Sequence, residues 1–118
     1  MGERTRVFIK PISVNACWQG RRFKTPAYNA FEKEVLLTLR PIKIPAAPLD
    51  VYIEFGVSNK LADIDNGIKP LLDILQKKYG FNDRDIYKLT VVKNITKKSA
   101  EYFEFEIKTL TLQSNTVI

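Results

Sequence analysis

The chain reads as one α+β domain, a mixed β-sheet with two main helices packed on it, in the order β-α-β-α-β-β. Three observations lead there. Its 118 residues are enough for one hydrophobic core and too few for two. Two stretches carry apolar residues at spacings of three and four: Tyr28, Phe31, Val35 and Leu39, then Ile68, Leu71, Leu72, Leu75 and Tyr79. That is the period of a helix with one buried face. Two further stretches, Leu49 to Val57 and Phe103 to Ile107, alternate apolar with polar residues, the period of a strand with one face on a core.

Each element has its own local reason. Arg4 to Pro11 centres on Val7, Phe8 and Ile9 and reads as a strand ended by Pro11. Trp18 to Lys24 reads as a loop in which three cations surround Phe23, with Trp18 and Phe23 expected to fold onto the core. A sharper alternative makes the same loop a phosphate-contacting arm with an aromatic ring free to stack on a base. Thr25-Pro26 starts the first helix, Thr as N-cap and Pro where its missing N–H costs nothing. Pro41, Pro45 and Pro48 keep the next segment extended, and Leu49 to Val57 follows as a strand. In the second helix Pro70 must fall in the first turn, and Gly80 supplies the left-handed stop. Ile86 to Lys93 is a strand, Asn94 to Ser99 a basic turn, and Glu101 to Leu110 the strand expected to pair with it as a hairpin. The tail after Leu112 is expected to be loose.

The formal charge is +6, with 19 basic against 13 acidic residues, an excess that attracts polyanions and nucleic acid first. Histidine is absent, which removes His-based acid–base catalysis, Ser-His-Asp and Cys-His nucleophiles, and His-ligated zinc. Catalysis must then rest on Asp, Glu, Lys, Arg or Tyr, with or without a hard metal. One cysteine, Cys17, cannot staple the fold, no apolar run is long enough to span a bilayer, and the N-terminus shows no signal-peptide core. The expectation is a cytoplasmic chain without a membrane segment.

Ala62 to Lys93 carries most of the chemistry. Asp63 and Asp65 stand two apart where strand and turn give way to helix, Lys69 follows, and Asp83 and Asp85 precede the next strand. Capping explains one aspartate at a helix start but does not need two. In an extended segment both would point to one side and could share a cation. Mg²⁺ suits such carboxylates and keeps waters that a phosphate oxygen can replace. The bland reading of Lys69 is an i,i+4 pair with Asp65 or Asp73, and that of Asp83 and Asp85 is ordinary turn composition. On residue chemistry alone the metal site and these structural roles stay level.

The run D-I-D-N-G-I-K, then N-D-R-D-I-Y-K-L-T-V-V-K, with P-I-S-V-N-A-C-W near the start, resembles the RusA family of Holliday junction resolvases. The resemblance spans Lys10 to about Lys93 and implies a RusA-like fold. It implies a homodimeric, Mg²⁺-dependent endonuclease, with Mn²⁺ able to substitute, that cuts branched DNA at four-way junctions. Residue by residue it makes Asp63, Asp65 and Asp83 metal ligands and Lys69 a catalytic lysine. Asn82 stands where that family usually has a further Asp, so Asp85 competes with Asp83 for part of the role. The DNA contacts implied are Asn15, Arg21, Arg22, Lys24 and Lys93, with Lys77, Lys78, Lys97 and Lys98 along the backbone. One rival is a PD-(D/E)xK nuclease using Glu106 and Lys108 with Asp83 or Asp85. The others are a catalytically inert nucleic-acid-binding module and a metal-free protein-interaction domain.

Overall fold

The computed structural model describes residues 4–20 and 23–111. Arg21, Arg22 and the tail after Leu112 lie outside the described residues. Strands and helices follow as β1 (Thr5–Val7), β2 (Trp18–Gln19), β3 (Phe23–Lys24), α1 (Pro26–Thr38), β4 (Leu49–Val57), α2 (Ile68–Tyr79), β5 (Ile86–Ile95) and β6 (Tyr102–Thr109). The expected α+β class, mixed sheet and two helices are all present.

Both helices begin and end for the predicted reasons. Thr25 caps α1, its side chain accepting the Tyr28 N–H at 3.1 Å, with Pro26 at the first helical position. α2 starts at Ile68, which puts Pro70 in its first turn, and stops at Gly80 in the left-handed region at φ 76°. Tyr28, Phe31 and Val35 from α1 and Leu71, Ile74 and Leu75 from α2 are buried. They pack in one core with Val51, Ile53 and Phe55 of β4 and Phe103, Phe105 and Ile107 of β6.

The sheet order is β1-β6-β4-β5, with β5 parallel to β4 and β6 antiparallel to it. The predicted β5–β6 hairpin is therefore wrong. The connection from Ile95 to Tyr102 crosses the end of β4, where Gly56 has Asn94 on one side and Tyr102 on the other. A short polar turn suits a hairpin, but burial decides the neighbours. β4 and β6 carry the strongest apolar alternation and take the two central positions, while the largely exposed β5 takes an edge.

Two further readings change. Ordered strand structure near the N-terminus covers only Thr5–Val7, and the supposed loop after Trp18 contains the two-stranded ladder β2–β3. Trp18 and Phe23 do not fold onto the core: Phe23 is 73% exposed, and Trp18 lies edge-on to Tyr28 with much of its ring in solvent. The ladder holds both rings on a flap beside the core.

The face of the sheet away from the helices is closed by charge and aromatic rings. Arg4 stacks on Tyr52 and Arg6 on Tyr102, each 3.9 Å from the ring centroid. Arg6 also bonds Glu104 at 2.8 Å, and the Tyr52 and Tyr102 hydroxyls both donate to Glu54. Those bonds hold the Glu54 carboxyl below the ordinary carboxylate range. Burial, then the bond to Glu54, pushes the Tyr52 hydroxyl up to about 12. Buried Glu104 and half-buried Glu54 and Glu106 thus keep partners for their carboxylates on this face.

Candidate functional site

After Val57 the chain makes two tight turns before α2. The Ala62 N–H donates to the Asn59 carbonyl at 3.0 Å, and the Asn59 side chain accepts from the Leu61 N–H at 2.9 Å. The Asn66 N–H then reaches the Asp63 carbonyl, and the Ile68 N–H the Asp65 carbonyl. Asp63-Ile64-Asp65 therefore lies in a turn and not in an extended segment, so the same-side rule for i and i+2 does not apply there. Gly67 is needed because α2 starts against Phe55: a Cβ at Gly67 would lie 2.9 Å from that ring.

Neither aspartate caps the helix. The N-cap is Gly67, with no side-chain bond at the cap. Asp63 and Asp65 are exposed, and among the described residues no hydrogen bond or ion pair reaches either carboxylate. The bland explanation for the pair is thus removed. Lys69 does what its bland reading said: its ammonium lies 3.0 Å from Asp73, one turn further along α2. With the lysine side chain 68% exposed, such a pair contributes only about 0.3–0.5 kcal/mol and lets go readily.

The loop is fastened from two sides. Lys93 of β5 donates to the carbonyls of Lys60 at 2.7 Å and Ala62 at 2.5 Å. From the other side the Val14 N–H donates to the Asn66 carbonyl at 2.7 Å, joining P-I-S-V-N to D-I-D-N. Between them opens a cavity of about 510 Å³ with Phe55 and Ile12 in its wall and Lys10, Asp63 and Lys93 among its polar lining. Sequence reasoning missed Lys10 here, and assigned Lys93 to DNA when its ammonium is engaged by backbone.

Asp83 stands elsewhere. It opens a 3-10 turn, Asp83–Asp85, whose cap is Asn82; the Asn82 side chain accepts from the Arg84 N–H at 3.0 Å. That bond uses one of the two lone pairs of the Asn82 side-chain oxygen. The Asp83 N–H is held by the Gln76 side chain at 2.8 Å, while no protein donor among the described residues reaches its carboxylate. Asp63 and Asp65 precede α2 and Asp83 follows it. Twelve helical residues span about 18 Å. β5 starts beside Leu49, at the opposite end of β4 from Val57.

By chemistry the three acids fit Mg²⁺, offering free, exposed carboxylate oxygens. By position within one chain they do not: among the described residues no three acidic or cysteine side chains gather closely enough to hold a metal ion. Lys69 is likewise not joined to them.

Of the proposed DNA contacts, Asn15 is exposed beside the cavity segment, and Arg21 and Arg22 lie outside the described residues. Lys24 is engaged with both Glu32 oxygens, at 3.1 and 3.2 Å. For the rival nuclease, Glu106 is paired with Arg4 at 3.3 Å on the open sheet face. Lys108 is exposed, with Asp50 as its cross-strand neighbour. No family model matches this chain, and no curated protein is similar to it in sequence. No helix among the described residues is long and apolar enough to cross a membrane.

Proposed function

We propose that this chain is a Mg²⁺-dependent endonuclease of branched DNA, with four-way junctions as its substrate, acting as a homodimer in the cytoplasm. Mn²⁺ would substitute for Mg²⁺. One observation carries the reading: Asp63 and Asp65 are exposed and committed to neither cap nor ion pair, and Asp63 lines a cavity whose wall also includes Lys10. Two free carboxylates in a chain of charge +6 are a liability to nucleic-acid binding unless a cation covers them. The resemblance of D-I-D-N-G-I-K and its downstream N-D-R-D to the RusA family supports the same choice.

The separation of Asp83 from the pair supports a dimeric form. A single chain holds an incomplete donor set, and a second copy related by a two-fold axis would supply Asp83 across the interface. A four-way junction has the matching symmetry, with two strands to cut on opposite sides. In each site Asp63 and Asp65 would hold the ion together with Asp83 of the second copy. When bound, the ion would supply an acidified water and neutralise phosphate oxygens. Lys69, in the first turn of α2, would leave Asp73 for a scissile phosphate, aided by the helix N-terminus. Lys10 and the basic residues of the β2–β3 flap would hold flanking backbone, with affinity that falls steeply as salt rises.

The experiment is cleavage of a synthetic four-way junction with Mg²⁺ and with EDTA. Cleavage is expected with the metal only, and Asp63→Asn or Asp65→Asn should abolish it while leaving junction binding in place. Binding without cleavage in the wild type would leave an inert nucleic-acid-binding module. Normal cleavage by both variants would remove the acids from the account.

A further inference from the structure

We propose that the free edge of β5 is where two copies of this chain join, strand against strand and antiparallel, about a two-fold axis near Thr90 and Val91. The inference deepens the functional reading above by naming the surface its dimer would use. β5 is ten residues long, pairs with β4 alone among the described residues, and so presents one whole edge without a strand partner. Protein sheets guard such edges with shortness, proline or exposed charge. This edge is long, and it contains no proline. One of its two lysines, Lys93, has its ammonium drawn back onto the loop carbonyls.

The residues around the edge are apolar where solvent would favour polar ones. Tyr87 is 72% exposed, Leu89 41% and Ile95 51%, and Leu61 and Ile64 are exposed in the loop beyond the strand's end. In the regular part of the strand Leu89, Val91 and Ile95 neighbour Val51, Ile53 and Val57 of β4, so they share the helix-bearing face. Leu89 and Ile95 nonetheless stay partly exposed on that face.

Charge selects the occupant and its direction. β5 is entered through Asp83, Arg84 and Asp85, a net charge of −1, and left through Lys97 and Lys98, a net charge of +2. An antiparallel second copy sets each acidic start against a basic end, twice per dimer; a parallel partner would set like against like. The surface is complementary to itself, as a two-fold interface requires. The same pairing carries the second copy's Asp83 toward the end of β4 from which the Asp63 loop departs.

The test is the mass of the protein in solution, by light scattering or sedimentation, without DNA or added metal. The wild type is expected to be a dimer through the micromolar range, and Tyr87→Lys with Leu89→Lys is expected to halve the mass while the helical circular dichroism stays unchanged. Leu37→Lys, on an exposed position of α1, should remain dimeric. A monomeric wild type, or a double variant that dimerises like the wild type, overturns the proposal. Because nothing catalytic is read, a dimer of this kind without nuclease activity would sink the functional reading alone. Cleavage by a protein indifferent to these substitutions would sink this one alone.

Discussion

Replacing Lys93 with methionine tests whether the acid-bearing loop is held by β5 or merely lies near it. The ammonium donates to two carbonyls, at 2.7 and 2.5 Å, from a half-buried position. Charge-assisted hydrogen bonds contribute about 1.5–3 kcal/mol each when fully buried. Lys60 is exposed, so water can replace at least one bond, and the combined loss should be about 1–2 kcal/mol. Methionine keeps most of the apolar stem that packs beside Phe55, so the loss reports the ammonium and not a cavity. Urea unfolding gives the stability, and amide exchange gives the loop. The midpoint should fall with unchanged slope, and the Ala62 and Asn66 amides should exchange faster while those of α1 do not. An unchanged midpoint with unchanged loop exchange, coupled to weaker and less salt-sensitive DNA binding, would refute the reasoning and return Lys93 to the phosphate contacts.

Two further predictions concern the open sheet face. A Cβ at Gly56 would lie 2.0 Å from the Tyr102 ring, and that ring is held by Glu54, Asn94 and Arg6. Gly56→Ala should therefore cost at least about 1–3 kcal/mol and lower the thermal midpoint; an unchanged midpoint would show that Tyr102 moves freely. Glu54 titrates lower in the folded chain because Tyr102 and Tyr52 donate to it. Its contribution is fully present above the unfolded carboxylate pKa and is lost as pH falls through the folded one. Glu54→Gln should then differ most from the wild type at neutral pH, with the gap closing in the acid range. A gap that is constant with pH would contradict the assignment.

Local signals in the chain carried much of this fold. Thr25-Pro26, Pro70 and Gly80 act through their own backbone chemistry, so both helices could be bounded from sequence. Pairing between strands could not. A six-residue connection after Ile95 looks like a hairpin, and only the competition of β4 and β6 for the buried centre sends the chain across to the far side. Trp18 and Phe23 misled for a related reason, since aromatic character announces burial but a two-stranded flap need not deliver it. The aspartates of the candidate site were singled out by spacing. Their division was also legible in principle, because a parallel strand–helix–strand unit sends its two loops to opposite ends. The clasp by Lys93 was invisible, since its partners are backbone carbonyls that no residue type advertises.

The division of the acids between the two ends of α2 gives the most direct test. Asp63→Asn and Asp83→Asn proteins, purified separately and then mixed under conditions that exchange subunits, are assayed on a four-way junction with Mg²⁺. Each alone should be inactive. In the mixture about half the dimers are mixed and carry one intact site out of two, so cleavage should recover to about a quarter of the wild-type level. A mixture as inactive as its components would place all three carboxylates in one chain, or none in the chemistry, and would contradict the account.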